Sequence, residues 1–171
     1  PERDKPLFFC QIEALETAIF LTEAAAREQG GAYFLNELRR FNDDANPGLL
    51  RIAHKMATGT GKTVVMAALI LDYYKRGYRN FVFFVNQNNL VAKTRDNFLN
   101  ASSSKYLFSP TINIEGLPVS VRAVQNFDRS LPNAINICFT TIQKLHIDYT
   151  FPKEGSLSRS DFTNGPVVMI S

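Results

Sequence analysis

Residues 56–63 read MATGTGKT, and the apolar run VVMAALIL follows without a break. Two glycines among threonines leave little side chain in the way, so the backbone can curl until successive N–H groups point into one concavity. A helix that starts at the same place adds the positive end of its dipole. Such a nest binds phosphate. By this spacing Thr58, Gly59, Thr60, Gly61, Lys62 and Thr63 form a nucleotide-phosphate cradle. Lys62 is expected to reach the β- and γ-phosphate oxygens, and the Thr63 hydroxyl to be a ligand of Mg²⁺. Lys62 and Thr63 are therefore the candidate catalytic residues. The bland alternative is a glycine-rich turn that only joins a strand to a helix. Finding T, G, G, K and T at these fixed places by chance has odds of roughly one in ten thousand for a chain this long.

The surroundings of the turn have the order the cradle needs. Residues 7–29, LFFCQIEALETAIFLTEAAAREQ, carry apolar residues at helical spacing, and the glycines at 30 and 31 end that helix. A second helix is expected over 33–41, then a loop with Pro47 and Gly48 as breakers. Residues 49–56 read as the strand that leads into the turn. The helix after it runs over 61–76, about 22 Å at the usual rise, and its first half is apolar nearly all round, as in a buried helix. NFVFFVN at 80–86 is a continuous apolar strand of the kind found in parallel sheets covered on both faces, so its phenylalanines are sheet core. Further along come a helix at 88–99, a serine-rich loop at 101–104, strands at 112–114, 119–124 and 135–140, and the terminal VVMIS. Strands alternating with helices imply an α/β domain with a mainly parallel sheet. Residues 1–48 form an N-terminal helical segment and residues 49–171 the phosphate-loop core of one domain.

Composition adds limits. The 171 residues, 45% hydrophobic and 20% charged, suffice for one domain with a real core. A net charge of +3 permits a polyanionic partner without demanding one. Cys10 and Cys138 lack metal-ligand spacing and read as two reduced core thiols of a cytoplasmic protein. The longest apolar run is too short to cross a bilayer, and no membrane partner is expected. The chain starts at Pro1 and stops at Ser171 inside an apolar run, which reads as a piece of something longer.

The general phosphate-loop pattern opens with Gly or Ala, whereas this one opens with Met56. In that form MATGTGKT resembles motif I of superfamily 2 helicases and translocases. FFCQIEALE lies where such motors carry an adenine-reading glutamine, which makes Gln11 the candidate. A primary amide can both donate to and accept from the adenine edge, although Gln11 also reads as a polar residue on the exposed side of an amphipathic helix. FVFFVNQNNLVAKTRDNF resembles motif Ia, and CFTTIQKL a later strand-to-loop motif. The resemblance makes Asn86, Gln87, Asn88, Lys93, Thr141, Gln143 and Lys144 candidate contacts to the DNA backbone. The plain reading of these threonines and asparagines is helix caps.

Across most of the chain, PLFFCQIEALETAIFLTEAA, NPGLLRIAHKMATGTGKTVVMA and INICFTTIQKLH resemble the Res subunit of type III restriction-modification enzymes. The resemblance implies the first RecA-like motor domain, cut before motif II, of an ATP-dependent DNA translocase and endonuclease. It brings ATP and Mg²⁺ as cofactors, with duplex DNA and a methylation and specificity subunit as partners. It also implies an acidic pair just after Ser171, for which Asp148 in KLHIDYT is the internal alternative. Another superfamily 2 helicase, a type I restriction motor and, more remotely, a P-loop small-molecule kinase are the rival readings.

Overall fold

A computed structural model of the chain describes residues 6–45, 47–48 and 50–171. The chain falls into two compact units, residues 1–65 and 66–171. Residues 1–5 of the expected N-terminal segment, and Leu49 at the start of the expected strand, lie outside the described residues.

In the first unit, α1 (Phe9–Ile19) buries Gln11, Ala14 and Ala18, residues spaced three and four apart. The expected 23-residue helix does not stay regular to its end. At Phe20–Ala24 it widens into a π-helical turn, where Thr22 Oγ1 donates back to the Ala18 carbonyl at 2.7 Å. Such a bond competes with the helical ladder and loosens it locally. Helix α2 (Gly31–Ala45) follows, longer at both ends than its apolar pattern indicated. Its buried Asn42 accepts the Arg51 N–H at 2.7 Å and donates to the Arg51 carbonyl at 3.1 Å. These bonds account for the largest departure from expectation. Among the described residues, 50–57 form no strand. They alternate exposed and half-buried positions as a strand does, yet the polar groups of Arg51 are held by a side chain instead of a ladder.

Helix α3 (Lys62–Lys75) starts in the phosphate-loop turn and ends within the second unit. The second unit is a sheet of β1 (Asn80–Val85), β2 (Ile112–Ile114), β3 (Leu117–Val124), β4 (Ala134–Thr141) and β5 (Val167–Ile170). Their spatial order is β2-β3-β4-β1-β5, and every pairing is parallel except the β2–β3 hairpin. Three helices complete it: α4 (Asn88–Leu99), α5 (Ile142–Thr150) and α6 (Arg159–Thr163).

Alternation along β1 sends its side chains to two separate cores. Phe81 and Phe83 pack with Ala67 and Ile70 of α3, Phe98 of α4, and Ile135 and Ile137 of β4. Val82 joins Phe127, Cys138 and Leu157 on the other face. Both faces are covered, so the polar residues of β4, Asn136 and Thr140, are buried as well, and the Asn136 amide donates to the carbonyls of Arg79, Leu131 and Ala134. Arg79 is structural as well: it donates to the carbonyls of Tyr74, Tyr78 and Pro132 and lies over the Tyr74 ring.

Candidate functional site

The glycine-rich turn is built as a cradle. Gly59 and Gly61 take φ of +84° and +77°, a left-handed conformation that residues with a Cβ adopt at a cost. Around them Thr60 Oγ1 donates to the Ala57 carbonyl at 2.8 Å, so this hydroxyl holds the loop instead of facing a ligand. Val64 N–H closes the first helical bond onto the Gly61 carbonyl at 2.9 Å. The N–H groups of Gly59, Gly61, Lys62 and Thr63 donate to no backbone carbonyl among the described residues. They are the donors that a helix start leaves for a ligand.

The Lys62 ammonium folds over this turn and donates to the carbonyls of Met56 and Ala57, at 3.3 and 3.0 Å. It is exposed and spans the loop from its helical end to its beginning. An anion in the cradle offers that ammonium stronger, charge-assisted bonds than two carbonyls do. Thr63, half-buried, stands one residue further into α3.

Gln11 is buried at 4% exposure, not on the open side of α1. Its Oε1 accepts the Phe8 N–H at 2.9 Å, and its Nε2 donates to the Thr60 carbonyl at 2.8 Å. One amide thus ties the start of α1 to the phosphate loop. A Cβ on Gly61 would meet that Nε2 and displace the amide from Thr60, while the φ of +77° is what calls for glycine. The separation of 49 residues between Gln11 and Thr60 is why no sequence pattern announces the bond.

In the second unit, the carboxyl ends of β3 and β4 and the helices α4 and α5 surround an open cavity of about 700 Å³. Asn88 and Lys144, both expected DNA contacts, line it. Asn86, Gln87, Lys93 and Gln143 are exposed but are not among its lining residues. Thr141 is buried, and its Oγ1 accepts the Lys144 N–H at 3.2 Å as the cap of α5. The expected loop after CFTT is therefore a helix. Arg95 and Lys153 also line the cavity and were not anticipated. Arg95 was legible: it stands seven residues after Asn88 and shares its helix face, whereas Lys93, five residues on, does not. Lys153 carries no such signal.

Asp148 departs from the role the sequence left open for it. It lies in α5, not at a strand end, and its Oδ2 accepts from Lys144 Nζ at 2.6 Å. Among the described residues, this carboxylate is engaged by a lysine of its own helix. The cysteines differ from each other too. Cys10 is exposed near the start of α1, contrary to its reading as a core thiol, and Cys138 is buried. Burial, opposed by Lys144 and reinforced by Asp148 and Asp161, pushes the Cys138 thiol up from 9.0 to about 12.

The type III restriction enzyme Res subunit family matches residues 4–169. The chain belongs to that family. Over 165 residues this Res-family chain is 36% identical to a Haemophilus influenzae protein described as "Probable type III restriction-modification enzyme HindVIP Res subunit". The alignment covers 96% of the chain and 30% of that relative, so the chain spans less than a third of the relative's length. No solved structure matches it. The mostly parallel five-stranded sheet of the second unit is that of a RecA-like Res domain, a helicase-like motor fold. No helix among the described residues is long and apolar enough to cross a membrane.

Proposed function

We propose that this Res-family chain is the ATP-binding part of a DNA motor, in which ATP hydrolysis drives movement along duplex DNA before cleavage by the whole enzyme. The observation that carries the reading is the phosphate cradle: two left-handed glycines, N–H groups without backbone partners, and the Lys62 ammonium over the same turn. These residues fit a nucleotide. The backbone N–H groups of Gly59, Gly61, Lys62 and Thr63, with the Lys62 ammonium, hold the phosphates, and the Thr63 hydroxyl is the ligand for Mg²⁺. ATP with Mg²⁺ supplies the phosphoryl group and neutralises part of its charge. Gln11 sits beside the loop as the adenine reader, its second Nε2 hydrogen being the free donor of an amide already anchored at both ends.

On the second unit, Asn88 and Lys144, with Asn86, Gln87, Lys93 and Gln143 on the surface nearby in sequence, contact the DNA backbone. Thr141 acts there by capping α5. Phosphate contacts position a motor without reading bases, which suits a cytoplasmic protein whose sequence choice belongs to a methylation and specificity partner.

The 171 residues alone are expected to turn over no ATP. Hydrolysis needs an acid for metal and water and an opposing arginine in addition to the cradle, and an in-trans arginine is worth about 10³ to 10⁵ in rate in related NTPases. The test is nucleotide titration of the full-length protein with and without duplex DNA. Coupled binding, each ligand altering the affinity for the other, supports a motor. Independent binding contradicts it and favours a module that only holds nucleotide.

A further inference from the structure

The ion pair of Lys144 and Asp148 is oriented against its helix. Lys144 stands in the first turn of α5 and Asp148 in the last, four residues later. A lysine near the amino end and an acid near the carboxyl end oppose the helix dipole, and this order is the less favourable one for pairs one turn apart. Helix stability therefore does not account for the pair. Its burial is also lopsided: the Asp148 side chain is 8% exposed and the Lys144 side chain 62%. A fixed carboxylate holds a cation that stays open to solvent. The Lys144 backbone is fixed as well, through its N–H bond to Thr141 Oγ1.

Both residues line the cavity at the ends of β3 and β4, with Arg95 and Lys153 as its other cations and Glu154 as its other acid. We propose that Asp148 is a positioning residue, holding the Lys144 ammonium at the cavity so that it meets a DNA phosphate already ordered. The inference rests on the reading of Lys144 as a backbone contact. A lysine ordered before the encounter loses less side-chain freedom on binding, which lowers the cost of the contact. A carboxylate that merely repelled the DNA would weaken binding, and its removal would tighten it.

The experiment is binding of duplex DNA to the full-length protein across a salt series, with nucleotide affinity as the check on folding. Lys144→Ala is expected to flatten the salt slope by about 0.9, one phosphate contact. Asp148→Asn is expected to weaken binding about 3- to 10-fold, and adding Lys144→Ala to it to cost less than in the wild type. Tighter or unchanged binding by Asp148→Asn, with Lys144→Ala still flattening the slope, overturns the positioning role alone. No effect of Lys144→Ala overturns the phosphate contact and the positioning role together. A second measurement needs no variant of the buried acid: amine-reactive labelling of the wild-type protein without DNA. Lys144 is expected to react more slowly than the exposed Lys93, and equal rates would show that the ammonium is not held.

Discussion

The side-chain amide of Gln11 donates to the backbone carbonyl of Thr60 at 2.8 Å, across 49 residues of chain. It joins the first helix to the middle of the glycine-rich loop, so on the proposed reading nucleotide affinity depends on α1 as well as on the loop. A net hydrogen bond of this kind contributes about 1 kcal/mol. Gln11→Ala is expected to weaken ATP binding more than tripolyphosphate binding, because it removes the loop tether and, with it, the proposed adenine contact. Competition titrations of the two ligands check this. Equal losses would reduce Gln11 to the tether.

Gly61 is the partner of that tether. Gly61→Ala forces a φ of +77° on a residue with a Cβ and pushes that Cβ against Gln11 Nε2. The backbone term alone costs about 1–2 kcal/mol. Thermal melts are expected to show Gly61→Ala destabilised. The double variant with Gln11→Ala should be less destabilised than the sum of the two, since the clash is then gone.

The turn was legible because its geometry is local: glycines, a lysine and a threonine at fixed spacing set the conformation of the same few residues. Strand β1 was legible for a related reason, since FVFFV at 81–85 has no polar residue to place outside a sheet covered on both faces. Residues 50–56, expected as part of the strand before the turn, form none because a ladder needs a neighbour that no pattern within the stretch names. Helix α5 was obscured by the β-branched residues where it begins, the cap Thr141 and Ile142, and by its short length, which leaves only Ile142, Leu145 and Tyr149 as its apolar stripe. Its cap bond from Thr141 to Lys144 N–H, not propensity, begins it.

The cysteines should separate chemically. Cys10 is exposed, and Cys138 is buried with its thiol pushed up to about 12, so at pH 8 alkylation of the native protein is expected to label Cys10 and spare Cys138. The raised value also has a direction for stability. The unfolded chain releases this proton near 9.0 and the folded chain near 12, so the contribution is complete below pH 9.0 and is lost as pH rises towards 12. Denaturant melts of wild type and Cys138→Ala are expected to differ in their loss of stability across that alkaline window, the wild type losing more.

Asp161 is a structural counterpart to these sites. Its buried carboxylate accepts the N–H of Phe127 at 2.7 Å, the N–H of Ser158 at 2.8 Å and the Ser158 hydroxyl at 2.9 Å. Asp161→Ala leaves the buried Phe127 N–H without its acceptor and removes two bonds from the half-buried Ser158. The expected loss is about 2–3 kcal/mol of stability, read from denaturant unfolding.

The phosphate cradle is tested most directly by ATP hydrolysis in the full-length protein, with duplex DNA present, comparing wild type with Lys62→Ala. The ammonium that spans residues 56–62 is the cation available to the phosphates at this turn. On the proposed reading its loss removes a charge-assisted contact to the phosphate group being transferred. The account predicts a fall in rate of at least about 10²-fold, with thermal stability unchanged because Lys62 is exposed. An unchanged rate of DNA-stimulated hydrolysis in a folded Lys62→Ala protein would contradict it.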